Sequence, residues 1–109
     1  NLRLDIQRKV LGGYINAEEF GHKEILDIPL DEALFDLTIH KAFARASKKL
    51  KKDNIPVTDY TVQDFLSKHN LPKGTSQESE YLHLMTECFI TTDSFKTYIN
   101  MILQHKMEN

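Results

Sequence analysis

Apolar residues recur at helical spacing along most of this chain. Ile6, Val10, Leu11, Tyr14 and Ile15 fall on one stripe of a first amphipathic helix. Gly12 and Gly13 interrupt that stripe, at a cost of about 1 kcal/mol each relative to alanine. Either the helix ends at Leu11, or the two glycines admit a second helix packed closely against this backbone. Asn16 is placed to cap a short second helix reaching Glu24, with Phe20, Ile25 and Ile28 inward and Pro29 as its stop. Asp31 can cap a further turn.

From Leu37 to Leu50 the inward positions are Leu37, Ile39, His40, Phe43, Ala44, Ser47 and Leu50, a long helix with a basic end. The run from Lys52 to Pro56 reads as a loop, because proline breaks the helix and restricts Ile55. Thr58 or Asp59 caps the next helix, which carries Val62, Phe65 and Leu66. A polar loop from Asn70 to Ser76 follows, and Thr75 with Glu78 has capping-box spacing. The helix so started turns Tyr81, Leu82, Met85, Cys88 and Phe89 inward. Thr92 or Asp93 caps the last helix, whose apolar positions are Phe95, Tyr98, Ile99, Met101, Ile102 and Leu103. The pattern predicts an all-α fold: one compact domain of five to six helices.

That last stripe is wider than one small core can cover. Phe95, Ile99 and Ile102 are assigned to the domain's own core, and Tyr98 and Met101 to a surface shared with a second copy.

Composition agrees with a globular domain. The 109 residues are 40% hydrophobic and 28% charged, with four glycines and three prolines, too few for a turn-rich all-β chain. No apolar run is long enough to cross a bilayer, and no leader marks the chain for export. Cys88 is the single cysteine, so an internal disulfide is excluded, in keeping with a cytoplasmic protein. The formal net charge of -2 lacks the basic footprint of a dedicated nucleic-acid binder.

Candidate chemistry is sparse. His22, His40, His69, His83 and His105 show neither HxxxH nor HxxH spacing, so no metal is expected. His40 reads as a hydrogen-bonded core residue and Cys88 as a buried, inert thiol. Glu18-Glu19 and Asp31-Glu32 stand at helix starts, where they complement the dipole. Gly12-Gly13 has no Lys-Ser/Thr partner and is no phosphate loop. Arg45, Lys48, Lys49 and Lys52 share one helical face. A solvated face explains them, and a partner or phosphate surface is the alternative.

The order of these signals resembles a known family. Val10-Leu11-Gly12-Gly13 resembles the opening of the N-terminal domain of DnaB-type replicative DNA helicases. Ile39-His40-Lys41-Ala42-Phe43 is similar to its His-x-x-Ile-Phe segment. Pro56-Val57-Thr58 with Thr61-Val62 and Leu66 resembles its Pro-Val-Asp-x-x-Thr-Val-x-x-x-Leu run. Tyr81-Leu82-x-Leu84 looks like its Tyr-Leu-x-x-Leu helix, and Phe95-Lys96-Thr97-Tyr98-Ile99 like its tyrosine-bearing helix. Thr58 stands where the family has aspartate, and the Gly-Gly before the Tyr-Leu helix is missing, as in a divergent member.

The resemblance implies that residues 1–109 are a helicase collar domain, cut in or just after the last helix. It implies a non-enzymatic assembly module, whose partners are further copies of itself (a dimer, and a hexamer in the full-length protein), primase and a helicase loader. DNA would be met only through the full ring, and no membrane is involved. No cofactor is expected in this chain, because ATP and magnesium belong to an ATPase motor whose GxxxxGK[ST] motif is absent here. Two other readings stand beside it. One is a helix-turn-helix DNA binder using Thr58 to Lys68, which carries Asp59 and Asp64 against Lys68 alone. The other is an unrelated replication-initiator interaction domain.

Overall fold

A computed structural model describes residues 1–68, 80, 81, 83, 84, 86 and 89–108, and among these every regular element is helical. Four helices have defined bounds: α1 (Leu2–Ile15), α2 (Thr38–Lys52), α3 (Asp59–Lys68) and α4 (Thr92–Met107). Two 3-10 turns, Lys23–Asp27 and Glu32–Leu34, join α1 to α2. Residues 80, 81, 83, 84 and 86 are also helical and lie in sequence between α3 and α4.

The first helix runs through both glycines to Ile15, so it does not end at Leu11. Every residue from Val10 to Ala17 is buried, which no single stripe would give. A helix enclosed on all sides belongs at the centre of a core, and α1 packs against both α4 and α2. Gly13 shows how the neighbours come so close. A Cβ built there would lie 2.0 Å from Cγ2 of Ile90, in the segment leading into α4. The close approach is therefore by a side chain ahead of a helix rather than by a helix itself.

The expected second helix from Asn16 to Glu24 is replaced by a single turn. Asn16 closes α1 instead of opening a new helix, its side-chain amide donating to the Gly12 carbonyl at 2.9 Å. Gly21, at φ +80, then stops the turn. His22 N–H reaches the Ala17 carbonyl at 2.8 Å and Gly21 N–H that of Glu18 at 3.2 Å. These paired bonds around a left-handed glycine are the Schellman arrangement that ends helices. The early stop turns Phe20 outward, while Ile25 is fully buried and Ile28 half-buried.

Asp31 caps the second 3-10 turn as its sequence suggests, accepting from Ala33 N–H at 2.9 Å. The long helix α2 extends two residues past Leu50 and buries His40, Phe43, Ala44, Ser47 and Leu50. The loop after it contains Asn54 at φ 59, a left-handed position that asparagine tolerates. Thr58 is the cap of α3. Thr61 N–H donates to its hydroxyl at 3.1 Å, and Thr58 N–H donates to the Thr61 hydroxyl at 2.9 Å. A threonine thus takes the reciprocal role that glutamate fills in the usual capping box.

Two expectations near the end of the chain are corrected. Thr91, one residue before the proposed caps, caps α4 by accepting from Ser94 N–H at 3.2 Å. Phe89 is exposed rather than inward, and Leu84 and Ile90 supply the buried positions there. The Asn70–Ser76 loop, the Thr75–Glu78 box, and Leu82, Met85 and Cys88 lie outside the described residues. In α4, Phe95 and Ile102 are fully buried beneath α1, and Tyr14 meets Phe95 with ring centroids 6.3 Å apart.

The contact at Gly13 yields a first test. Gly13→Ala forces Ile90 aside, and such overpacking costs about 1–3 kcal/mol. Combined with Ile90→Ala, the double variant should lose less stability than the two single losses added together. Urea denaturation of all four proteins measures that coupling, and strict additivity would place Gly13 away from Ile90.

Candidate interaction surface

Two clusters of charged side chains flank α1, each built on a carboxylate: one around the part-buried Glu80, the other around Asp36 at the surface. In the first, Glu80 receives two bonds from the Arg8 guanidinium of α1, at 2.9 and 2.5 Å. It also accepts from Nε2 of His40 on α2, at 2.7 Å. The Glu80 side chain is only 13% exposed, and the Arg8 bonds hold its pKa down at about 2. Arg8 also pairs with Asp5 at 3.0 Å. In the second, Asp36 accepts from Gln7 Nε2 and Arg3 Nε, both at 2.8 Å, and from Lys106 of α4 at 3.4 Å. Its backbone N–H returns a bond to the Gln7 side-chain oxygen at 2.9 Å. The Gln7 bond and the two cations bring its pKa to about 2.

A histidine beside a carboxylate invites a catalytic reading, which burial rules out. His40 is 0% exposed and stands edge-on to Phe35. With ionised Glu80 as acceptor, the ring proton sits on Nε2 and Nδ1 is left as a buried lone pair without a partner among the described residues. Burial pushes the His40 pKa down despite Glu80. No substrate can reach such a ring, so the pair joins α1 to α2 through Glu80.

The sequence-predicted residues lie on separate faces. On α2, Arg45 pairs with Glu32 at 2.8 Å and Lys49 with Asp53 at 3.3 Å, all on the surface. Lys51 donates its ammonium to the Leu26 carbonyl, pinning the first 3-10 turn to α2. Lys48 and Lys52 point to solvent and form no ion pair among the described residues. Lys48 and Lys51 border an open cleft of about 210 Å³ with Tyr14, Ile28, Pro29, Leu30 and Asp31. Burial raises the Tyr14 phenol pKa, with Asp27 adding to the effect.

On α4, Tyr98 and Met101 are half-buried and packed against the core. The most exposed apolar side chains of that helix are Leu103 at 46% and Met107 at 86%, a full turn further along. On α3, Gln63 donates to Asp59 at 2.8 Å and also bonds the Tyr81 hydroxyl. A side chain so tied is not free to read a base edge. Among the described residues no group of three or more His, Cys, Asp or Glu side chains can hold a metal ion. Among them, too, no helix is long and apolar enough to cross a membrane.

No family model, curated protein or solved structure matches this chain.

Two tests concern these charges. Glu80 and Asp36 have depressed pKa values, so their contribution to stability is present above the usual carboxylate range. It is lost as pH falls toward about 2. His40 acts in the same direction. Its uncharged ring is favoured in the fold, so below the ordinary value of 6.5 unfolding takes up a proton and stability begins to fall. Urea midpoints should therefore decline steadily from pH 7 to 3. Glu80→Gln should flatten part of the decline and cost about 1–3 kcal/mol at pH 7, from weakened bonds to buried partners.

On the basic face, Lys48→Glu with Lys49→Glu should change stability by no more than about 0.5 kcal/mol, since exposed pairs contribute little. Unfolding of that variant at room temperature would instead make these lysines structural.

Proposed function

We propose that this chain is the N-terminal collar domain of a DnaB-type replicative helicase, a cytoplasmic module of assembly and docking without catalysis of its own. The observation that carries the reading is the order and separation of five sequence segments, from Val10-Leu11-Gly12-Gly13 to Phe95-Lys96-Thr97-Tyr98-Ile99. An all-helical fold with α1 at its centre is compatible with it. So is the flank of α4 where Tyr98 and Met101 are half-buried; the exposed Leu103 lies on the other side of the Phe95–Ile99–Ile102 stripe.

In this reading the flank of α4 meets a second copy, and three such pairs build the collar. Half-burial is what a self-association surface needs. The side chains are held in place by the core yet keep apolar area for a partner, at about 25 cal/mol per Å² before the entropic cost of association. The collar would present docking faces to primase and a helicase loader. ATP, magnesium and DNA belong to a motor and ring beyond this chain.

Sedimentation across a wide concentration range tests the interface, with Tyr98→Glu, Met101→Glu and a separate Leu103→Glu variant beside the parent. Weak, concentration-dependent association is expected in the parent; it should be lost in the Tyr98, Met101 variant and kept in the Leu103 variant, whose side chain lies on the other side of the helix. Thermal melts check that the half-buried pair has not simply unfolded the domain. A parent that stays monomeric at high concentration, or a folded Tyr98, Met101 variant that associates equally well, removes this flank of α4 as the interface.

A further inference from the structure

Phe20 and Phe89 come from opposite ends of the chain and meet on its surface. Their ring centroids are 5.9 Å apart and the rings stand edge to face at 85°. His22 joins them, 6.1 Å from Phe89 and steeply inclined to it. The pairing does not hide them: Phe20 is 44% exposed and Phe89 57%. Paired phenylalanines left in water are unusual in a small domain whose core is otherwise well filled.

The platform beneath them is fixed. Gly21 ends the turn that carries Phe20. The Thr92 hydroxyl donates to Glu24 at 2.6 Å, tying that region to the start of α4 just beyond Phe89. The two rings thus stand beside segments that are hydrogen-bonded to each other.

The rim is acidic. Glu18, Glu19 and Glu24 flank Phe20 in sequence, and Asp93 follows Thr92 in the first turn of α4. From residue 17 to 27 the one lysine or arginine is Lys23, which lies 4.0 Å from Glu18. An aromatic pair whose flanking segments carry these carboxylates is complementary to an apolar stripe flanked by positive charge. Two copies of this face would set acidic rim against acidic rim, so charge opposes its pairing with itself.

We infer that the Phe20–Phe89 pair with Glu18, Glu19, Glu24 and Asp93 is a docking surface for a basic amphipathic helix of a partner protein. The rings receive one or two aliphatic side chains spaced a turn apart, and the carboxylates attract flanking lysine or arginine. The inference is independent of the helicase reading, which concerns the flank of α4.

A short amphipathic helix made only of leucine and lysine is the probe, with a leucine–glutamate helix of the same pattern as control. The lysine helix should bind, more weakly as salt rises, and shift the NMR signals of Phe20, His22 and Phe89. Phe20→Ser with Phe89→Ser should weaken binding about tenfold or more, and a matched thermal melt will show that the core is untouched. Glu19→Lys with Asp93→Asn should reduce both the affinity and its salt dependence, and it decides alone if the aromatic variant does not fold. Equal binding of the glutamate helix overturns the inference, as does unchanged affinity in a folded variant. Self-association of the parent that disappears in the aromatic variant would assign the surface to a second copy instead.

Discussion

The fold depends on enclosing α1. From Val10 to Ala17 each residue is buried, so the C-terminal half of the helix is covered around its whole circumference, while Leu2 and Asp5 at its start stay exposed. Coverage that complete requires neighbours to approach the backbone, and Gly13 provides the place where Ile90 does so. The cost of Gly13 in a helix, about 1 kcal/mol, is offset by packing that a larger residue would prevent. The segment before α4 is thereby seated on α1, which is why the last helix lies against the first.

A helix covered to this extent must also settle its polar side chains. Gln7 is 1% exposed, yet both ends of its amide are bonded to Asp36. Asn16 turns back onto the Gly12 carbonyl. Arg8 reaches Glu80, and Glu80 reaches His40 on α2. Each bond satisfies a group that burial would otherwise penalise, and all but the local Asn16 bond join segments far apart in sequence. Hydrophobic burial alone would leave the rotation of α1 between α2 and α4 weakly specified; these bonds select one orientation.

The surface divides by charge. The outer face of α2 carries Lys48, Lys49 and Lys52, while Glu18, Glu19, Glu24 and Asp93 stand exposed on the turn after α1, the first 3-10 turn and the start of α4. With a formal net charge of only -2, opposite signs are segregated rather than absent.

Much of the helical pattern was legible in the residue order. Periodicity located α1, α2, α3 and α4 and most of their core positions, because burying one side of a helix imposes a 3.6-residue repeat that needs no knowledge of the partner. Asp31 and Thr58 were readable as caps because a capping bond spans only a few residues. His40 was readable as a core histidine from its place on the apolar face. The division of the last stripe was not: Ile99, assigned to the core, is half-buried just as Tyr98 and Met101 are. What tertiary structure alone decided was everything set by contact between distant segments. Ile90 selected the continuous helix over one ending at Leu11. Gly21, through its left-handed backbone, cut the second helix to one turn and sent Phe20 outward to meet Phe89. Glu80 had no sequence signal, because its meaning lies in joining Arg8 to His40. Local spacing determines which face of a helix is apolar, but only the assembled chain determines what that face touches.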